Sequence, residues 1–215
     1  MCFILKLKSN LIDKYGLLLF RFILSVFSWI SILLMLIPSI LTLQFIILSF
    51  YTVQTNLMVL LWSTIALFFT NKKEEPLFMG PLVRGGITVY ITITFLVFVT
   101  LLQPFYLPSE PLPIFTNILA HYIVPILFIG DWMFTETKKE YETRYAVYWL
   151  SYPLFYLGYS LIQGLITGFY PYYFIDLSIF GPLVILSAAV LSLLFYFVGR
   201  LYIYINKKIY RKRSK

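Results

Sequence analysis

Phe22–Asn71, FILSVFSWISILLMLIPSILTLQFIILSFYTVQTNLMVLLWSTIALFFTN, carries no charged residue over 50 positions. At about 1.5 Å rise per residue a single helix of that length would extend roughly 75 Å, against a hydrocarbon core about 30 Å thick. The segment must fold back on itself. Pro38 and the polar residues from Gln44 through Asn56 mark the reversal. This predicts a first helix over about 15–40 and a second over about 51–70.

The charges extend that reading to the whole chain. All 17 Lys and Arg residues gather in four clusters. They are Lys6, Lys8, Lys14 and Arg21; Lys72, Lys73 and Arg84; Lys138, Lys139 and Arg144; and the group from Arg200 through Lys215. Cytoplasmic loops of membrane proteins are enriched in Lys and Arg. Two crossings in each of the three intervals put every cluster on that face. The expectation is an all-α polytopic membrane protein, a six-transmembrane-helix bundle with both termini cytoplasmic, folded as one domain over 1–215. The remaining helices fall at about 86–103, 114–133, 146–167 and 180–205. Asn71–Arg84, with Pro76, Gly80 and Pro81, has inner-turn chemistry. Four prolines, Pro104, Pro108, Pro111 and Pro113, keep the outer loop Gln103–Pro113 out of helix. Tyr170, Tyr172, Tyr173 and Phe174 suit a second outer loop at the membrane interface.

Composition agrees. The chain is 60% hydrophobic and 12% charged, with mean hydropathy +0.86, where a soluble domain has about 25% charged residues. The formal charge of +8 is accounted for by topology and by attraction to anionic headgroups. The basic tail therefore reads as a lipid-facing flank, and membrane lipids rather than nucleic acid are the expected partners. Cys2 and His121 are single in their kinds, so neither an internal disulfide nor a Cys/His metal site is expected. The first apolar span lacks a small-residue cleavage pattern and reads as a retained helix.

Polar residues inside a membrane are costly and face the bundle interior or a wet cavity. Thr52, Thr55 and Asn56 fall near the outer end of the second helix. Asn117 and His121 are spaced i, i+4 on the fourth, and Gln163 is near the outer end of the fifth. These groups are expected in one layer, with Asp176 as the acidic residue nearest it. A hydroxyl within reach of a histidine is the minimum for nucleophilic catalysis with the imidazole as general base. The same residues also suit interhelical hydrogen bonding, which averages about 0.6 kcal/mol. Asp131, at the inner end of the fourth helix, is expected to meet water or Lys138.

Three segments carry a family resemblance: Phe50-Tyr-Thr-Val-Gln-Thr-Asn-Leu57, Asn117-Ile-Leu-Ala-His-Tyr-Ile-Val-Pro125 and Gly164-Leu-Ile-Thr-Gly-Phe-Tyr-Pro171. In order and spacing the chain resembles the androgen-induced and androgen-dependent transmembrane proteins (the FAR-17a type), and above all their bacterial six-helix relatives. The resemblance implies a bacterial plasma membrane and a threonine hydrolase of fatty acid esters of hydroxy fatty acids. It implies no cofactor. His121 matches the family histidine. The nucleophile would be Thr55, beside Asn56-Leu57, or Thr52; Val53 stands where an ungapped match falls. Asn56 or Asn117 would serve the oxyanion, with Gln163 and Asp176 as further polar groups of the cavity. The alternative reading is a non-enzymatic lipid-binding, transport or assembly protein whose polar layer lines a binding cavity.

Overall fold

The computed structural model describes residues 2–70, 76–105, 109–136 and 140–213, with side chains from residue 15 to residue 211 within those ranges. Among the described residues every regular element is helical. The α-helices are α1 (Cys2–Leu41), α2 (Tyr51–Phe69), α3 (Pro81–Val97), α4 (Pro111–Ile118), α5 (Val124–Thr135), α6 (Tyr145–Tyr148), α7 (Ser151–Thr167), α8 (Leu177–Phe180) and α9 (Val184–Arg213). A π-helical turn over Phe98–Leu102 extends α3, and a second over Leu119–Ile123 joins α4 to α5.

Among the described residues five segments are long and apolar enough to cross a membrane: Tyr15–Leu41, Tyr51–Phe69, Pro81–Phe105, Pro111–Thr135 and Leu177–Arg211. The helix expected over 146–167 is divided. Its main part, α7, has 17 residues, about 25 Å of helix. Pro81 and Pro111 start their helices earlier than the loop reading allowed. Proline is tolerated there because a first-turn N–H has no intrahelical acceptor and the ring presets φ. Residues 71–75 and 137–139, with Lys72, Lys73, Lys138 and Lys139, lie outside the described residues.

α3 is central, packing against α2, α5 and α9, while α1 lies beside α2 and α5. One core group gathers Leu24, Val59, Trp62, Ile91, Val124 and Phe128; another gathers Tyr51, Tyr90, Trp132, Tyr141, Trp149 and Tyr202. The outward faces are apolar too. Leu165, Ile166, Ile185, Leu186 and Phe197 are each more than 60% exposed, a surface that hydrocarbon solvates without the aqueous cost of about 25 cal/mol per Å².

Asp131 departs from the sequence expectation. It meets neither water nor, among the described residues, a lysine: it is 0% exposed and paired with two arginines. Arg21 Nε donates to Asp131 Oδ1 at 3.0 Å, and Arg84 Nη2 donates to Oδ2 at 2.5 Å. Arg84 Nη1 reaches Glu136 Oε2, and Arg21 Nη1 reaches Thr70 Oγ1. Both guanidinium groups lie over the Trp62 ring, at 5.3 and 4.6 Å from its centroid. Charge clustering groups Arg21 and Arg84 with the loop charges. Instead they face inward from α1 and α3, where burying a charge is tolerated because a counter-charge is already there.

Candidate active site

The site lies some ten residues along the α4–α5 segment from that ion cluster. Thr52 is the second residue of α2, and Phe50, its N-cap, is extended. The Thr52 hydroxyl could have bonded back along its own chain, as threonines in helices often do. It does not; Leu48 O, four residues back, accepts from Gln54 Nε2 instead. Thr52 Oγ1 lies 3.2 Å from His121 Nε2. Both side chains are buried, at 8% exposure each.

His121 occupies the π turn Leu119–Ile123, where Val124 N–H reaches five residues back to Leu119 O. The next N–H at that spacing would serve Ala120 O, but residue 125 is proline and has none. Asn56 supplies the donor. Its Nδ2 bonds Ala120 O at 3.1 Å and Thr52 O at 2.9 Å, fastening α2 to the turn that carries the histidine. Such turns recur at functional sites.

The imidazole is further fixed from two sides. Its ring stacks on Phe98, with centroids 3.7 Å apart and planes at 14°. Its Nδ1 lies 3.3 Å from Asn117 O. A carbonyl only accepts, so that contact requires the proton on Nδ1 and leaves the Nε2 lone pair toward Thr52. The hydrogen-bond network thus assigns the tautomer that a general base needs.

Thr52, Phe98, Asn117 and His121 line a cavity of about 550 Å³. Leu34, Met35 and Pro38 of α1, with Leu112 and Pro113 of α4, make its apolar walls. Asn117 Nδ2 has no hydrogen-bond partner among the described residues. Tyr172, from the loop after α7, also lines it. Gly168 turns that loop with φ 75°, a left-handed conformation suited to glycine. Gly164 admits the Tyr170 ring where a Cβ would meet it at 2.0 Å. Together these fold the loop back over α2.

The other candidates are placed elsewhere. Thr55 turns toward α3: its hydroxyl lies 2.9 Å from Thr94 Oγ1 and donates to Tyr51 O at 3.0 Å. Asn56 spends both amide hydrogens on carbonyls and has none left for an oxyanion. Gln163 Nε2 donates to Ser49 Oγ at 2.8 Å, within a cluster joined by Tyr159 and Tyr156. Asp176 caps α8 by accepting from Ser178 N at 2.8 Å. Sequence reasoning passed over Phe98 and gave Tyr172 only an interface role, because nothing marks either as a site residue among 39 Phe and Tyr residues.

No family model, no curated protein and no solved structure matches this chain.

Proposed function

We propose that this protein is an integral membrane threonine hydrolase of lipid esters, such as fatty acid esters of hydroxy fatty acids, working in the outer leaflet. In this reading α7 is the sixth crossing, both termini are cytoplasmic and the membrane is a bacterial plasma membrane. The observation that carries the proposal is the contact of 3.2 Å between Thr52 Oγ1 and His121 Nε2, made at the wall of an apolar cavity. Resemblance to the FAR-17a type points the same way. Thr52 rather than Thr55 is the nucleophile, since only its hydroxyl faces the imidazole.

Thr52 Oγ attacks the ester carbonyl carbon, and its proton passes to His121 Nε2. The carbonyl electron pair moves onto oxygen, where Asn117 Nδ2 donates; one such donor is typically worth about 3–4 kcal/mol. As the tetrahedral intermediate collapses, the alkoxide leaves with the proton from His121. Water then attacks the acyl-threonine, gives a proton to His121, and Thr52 Oγ recovers it on release of the acid. The Asn117 carbonyl, not a carboxylate, orients the imidazole through Nδ1–H. The Phe98 ring face favours the imidazolium formed in each step.

The non-enzymatic reading draws support from the same cavity, whose walls are almost wholly apolar and could hold a lipid without reaction. A fluorophosphonate probe on the purified protein in detergent separates the two. Labelling of the wild type, lost in Thr52→Val and in His121→Ala at unchanged thermal stability, supports the hydrolase. A folded wild type inert to the probe and to long-chain esters moves the assignment to lipid binding.

A further inference from the structure

We propose that Tyr172 is a third catalytic residue of this site, its phenolic O–H donating to the oxygen that gains charge when Thr52 attacks. This rests on the threonine hydrolase reading above. The Tyr172 hydroxyl lies 3.3 Å from Thr52 N and 3.4 Å from Thr52 Oγ1. Thr52 N–H, in the first turn of α2, has no intrahelical acceptor and donates to the phenol oxygen. The Thr52 hydroxyl hydrogen is directed at His121, so the phenolic hydrogen is left facing the Oγ1 lone pairs. It therefore stands beside the atom that becomes bonded to the carbonyl carbon.

A second observation places the two hydroxyls where two cavities adjoin. Beside Thr52 lies a smaller cavity of about 80 Å³ between α3, α7 and α9, lined by Ile93, Val97, Leu157 and Leu191 among others. Thr52, Leu102 and Tyr172 line this cavity as well as the large one. An ester with one chain in each cavity crosses alongside the Thr52–Tyr172 pair, whose hydroxyls are in contact, and presents its carbonyl to both. The Tyr172 ring is held for the task. Phe50 meets it edge-on with centroids 5.8 Å apart, and Phe174 stacks parallel to it at 5.3 Å. Burial raises its phenol above the ordinary value, so the hydroxyl keeps its hydrogen.

In the acylation step the Oγ–C bond forms, the Thr52 proton goes to His121, and the carbonyl pair becomes the oxyanion. Tyr172 turns its hydrogen bond from Oγ1 to that oxyanion and keeps its proton. When the ester C–O bond breaks, the pair returns to the carbonyl and the alkoxide takes the His121 proton. Tyr172 ends as it began.

The test compares wild type with Tyr172→Phe in detergent on a long-chain p-nitrophenyl ester, with thermal unfolding measured alongside. The expected result is a loss in kcat on the order of 10²–10³-fold, with KM nearly unchanged and only a modest fall in unfolding temperature from the Thr52 N–H left without its acceptor. A kcat within about threefold of wild type, in a wild type whose activity His121→Ala abolishes, overturns the role of Tyr172 and leaves the hydrolase reading intact. Should Tyr172→Phe not fold, the structure of the wild-type phosphonate adduct decides. Tyr172 must then donate to the phosphonyl oxygen, and a hydroxyl turned away from it overturns the inference. A wild type inert to ester and probe overturns both readings.

Discussion

Replacing Asp131 by asparagine should unbalance the most tightly buried charges among the described residues. Asp131 is 0% exposed, and the two guanidinium groups it holds belong to residues 6% and 4% exposed. Wild type pairs Arg21 and Arg84 with Asp131 and Glu136. In Asp131→Asn the new amide oxygen would still accept from Arg21, but the amide nitrogen would face Arg84 Nη2, donor against donor. Arg84 keeps the charge of Glu136, whereas Arg21 keeps only neutral partners: the amide oxygen, the Thr70 hydroxyl at 3.1 Å and the Trp62 ring face. Leaving a buried charge uncompensated costs about 3–5 kcal/mol. For a chain of this size that corresponds to roughly 6–20 °C in unfolding temperature. Removing the stranded charge should repair most of the damage. Arg21→Met with Asp131→Asn leaves one guanidinium and one carboxylate, and should recover about 2 kcal/mol relative to Asp131→Asn alone. Tryptophan fluorescence during thermal unfolding in detergent suits the measurement, because Trp62 lies beneath both guanidinium groups. A shift below about 2 °C for Asp131→Asn, or a double variant no more stable than the single one, would refute the reasoning.

Three further outcomes follow from the geometry. Thr52→Val should lower ester hydrolysis by at least about 10³-fold, while Thr55→Val should keep activity within a few-fold and lose about 0.6 kcal/mol, at most roughly 1.7; assays and melts of the pair check this, and the reverse pattern would transfer the nucleophile to Thr55. Asn56→Leu strands the carbonyl of Ala120, while Thr52 O keeps the Thr55 hydroxyl, so it should cost about 1–3 kcal/mol and lose probe labelling together with stability; full labelling would show that the π turn stands without its amide. Cysteines placed at Glu110 and Ser214 should react with impermeant maleimide from opposite faces of the membrane, and reaction of both from one face would remove the six-crossing topology.

The helices were legible because apolar length and charge spacing are one-dimensional quantities. Which arc of a helix meets which neighbour is not. Thr52 and Thr55 are three residues apart, about 60° on a helical wheel, and that angle sends one toward His121 and the other toward Thr94. Arg21 and Arg84 sit at cluster edges, so charge counting places them in water, while their partners Asp131 and Glu136 lie more than 45 residues away in sequence. Gln163 has the expected depth along its own helix, but the Phe45–Ser49 turn offers it Ser49. The π turns break the very periodicity from which faces are inferred. Pro125 is the one local sign, and it is intelligible only beside Asn56.

The bundle is pinned by charge at one end and hollowed by a cavity at the other. Four charges lock α1, α3 and α5 together near Asp131, whereas nearer His121 the same α1 and the start of α4 wall the large cavity. The sideways squeeze of surrounding acyl chains would bear most on the hollow end, which no charge pair braces among the described residues, so bilayer and protein together would set the width of that cavity. Thick, tightly packed membranes would press the cleft shut, and loosely packed ones would let it spread, giving the protein a reading of the lipid around it before any ligand arrives.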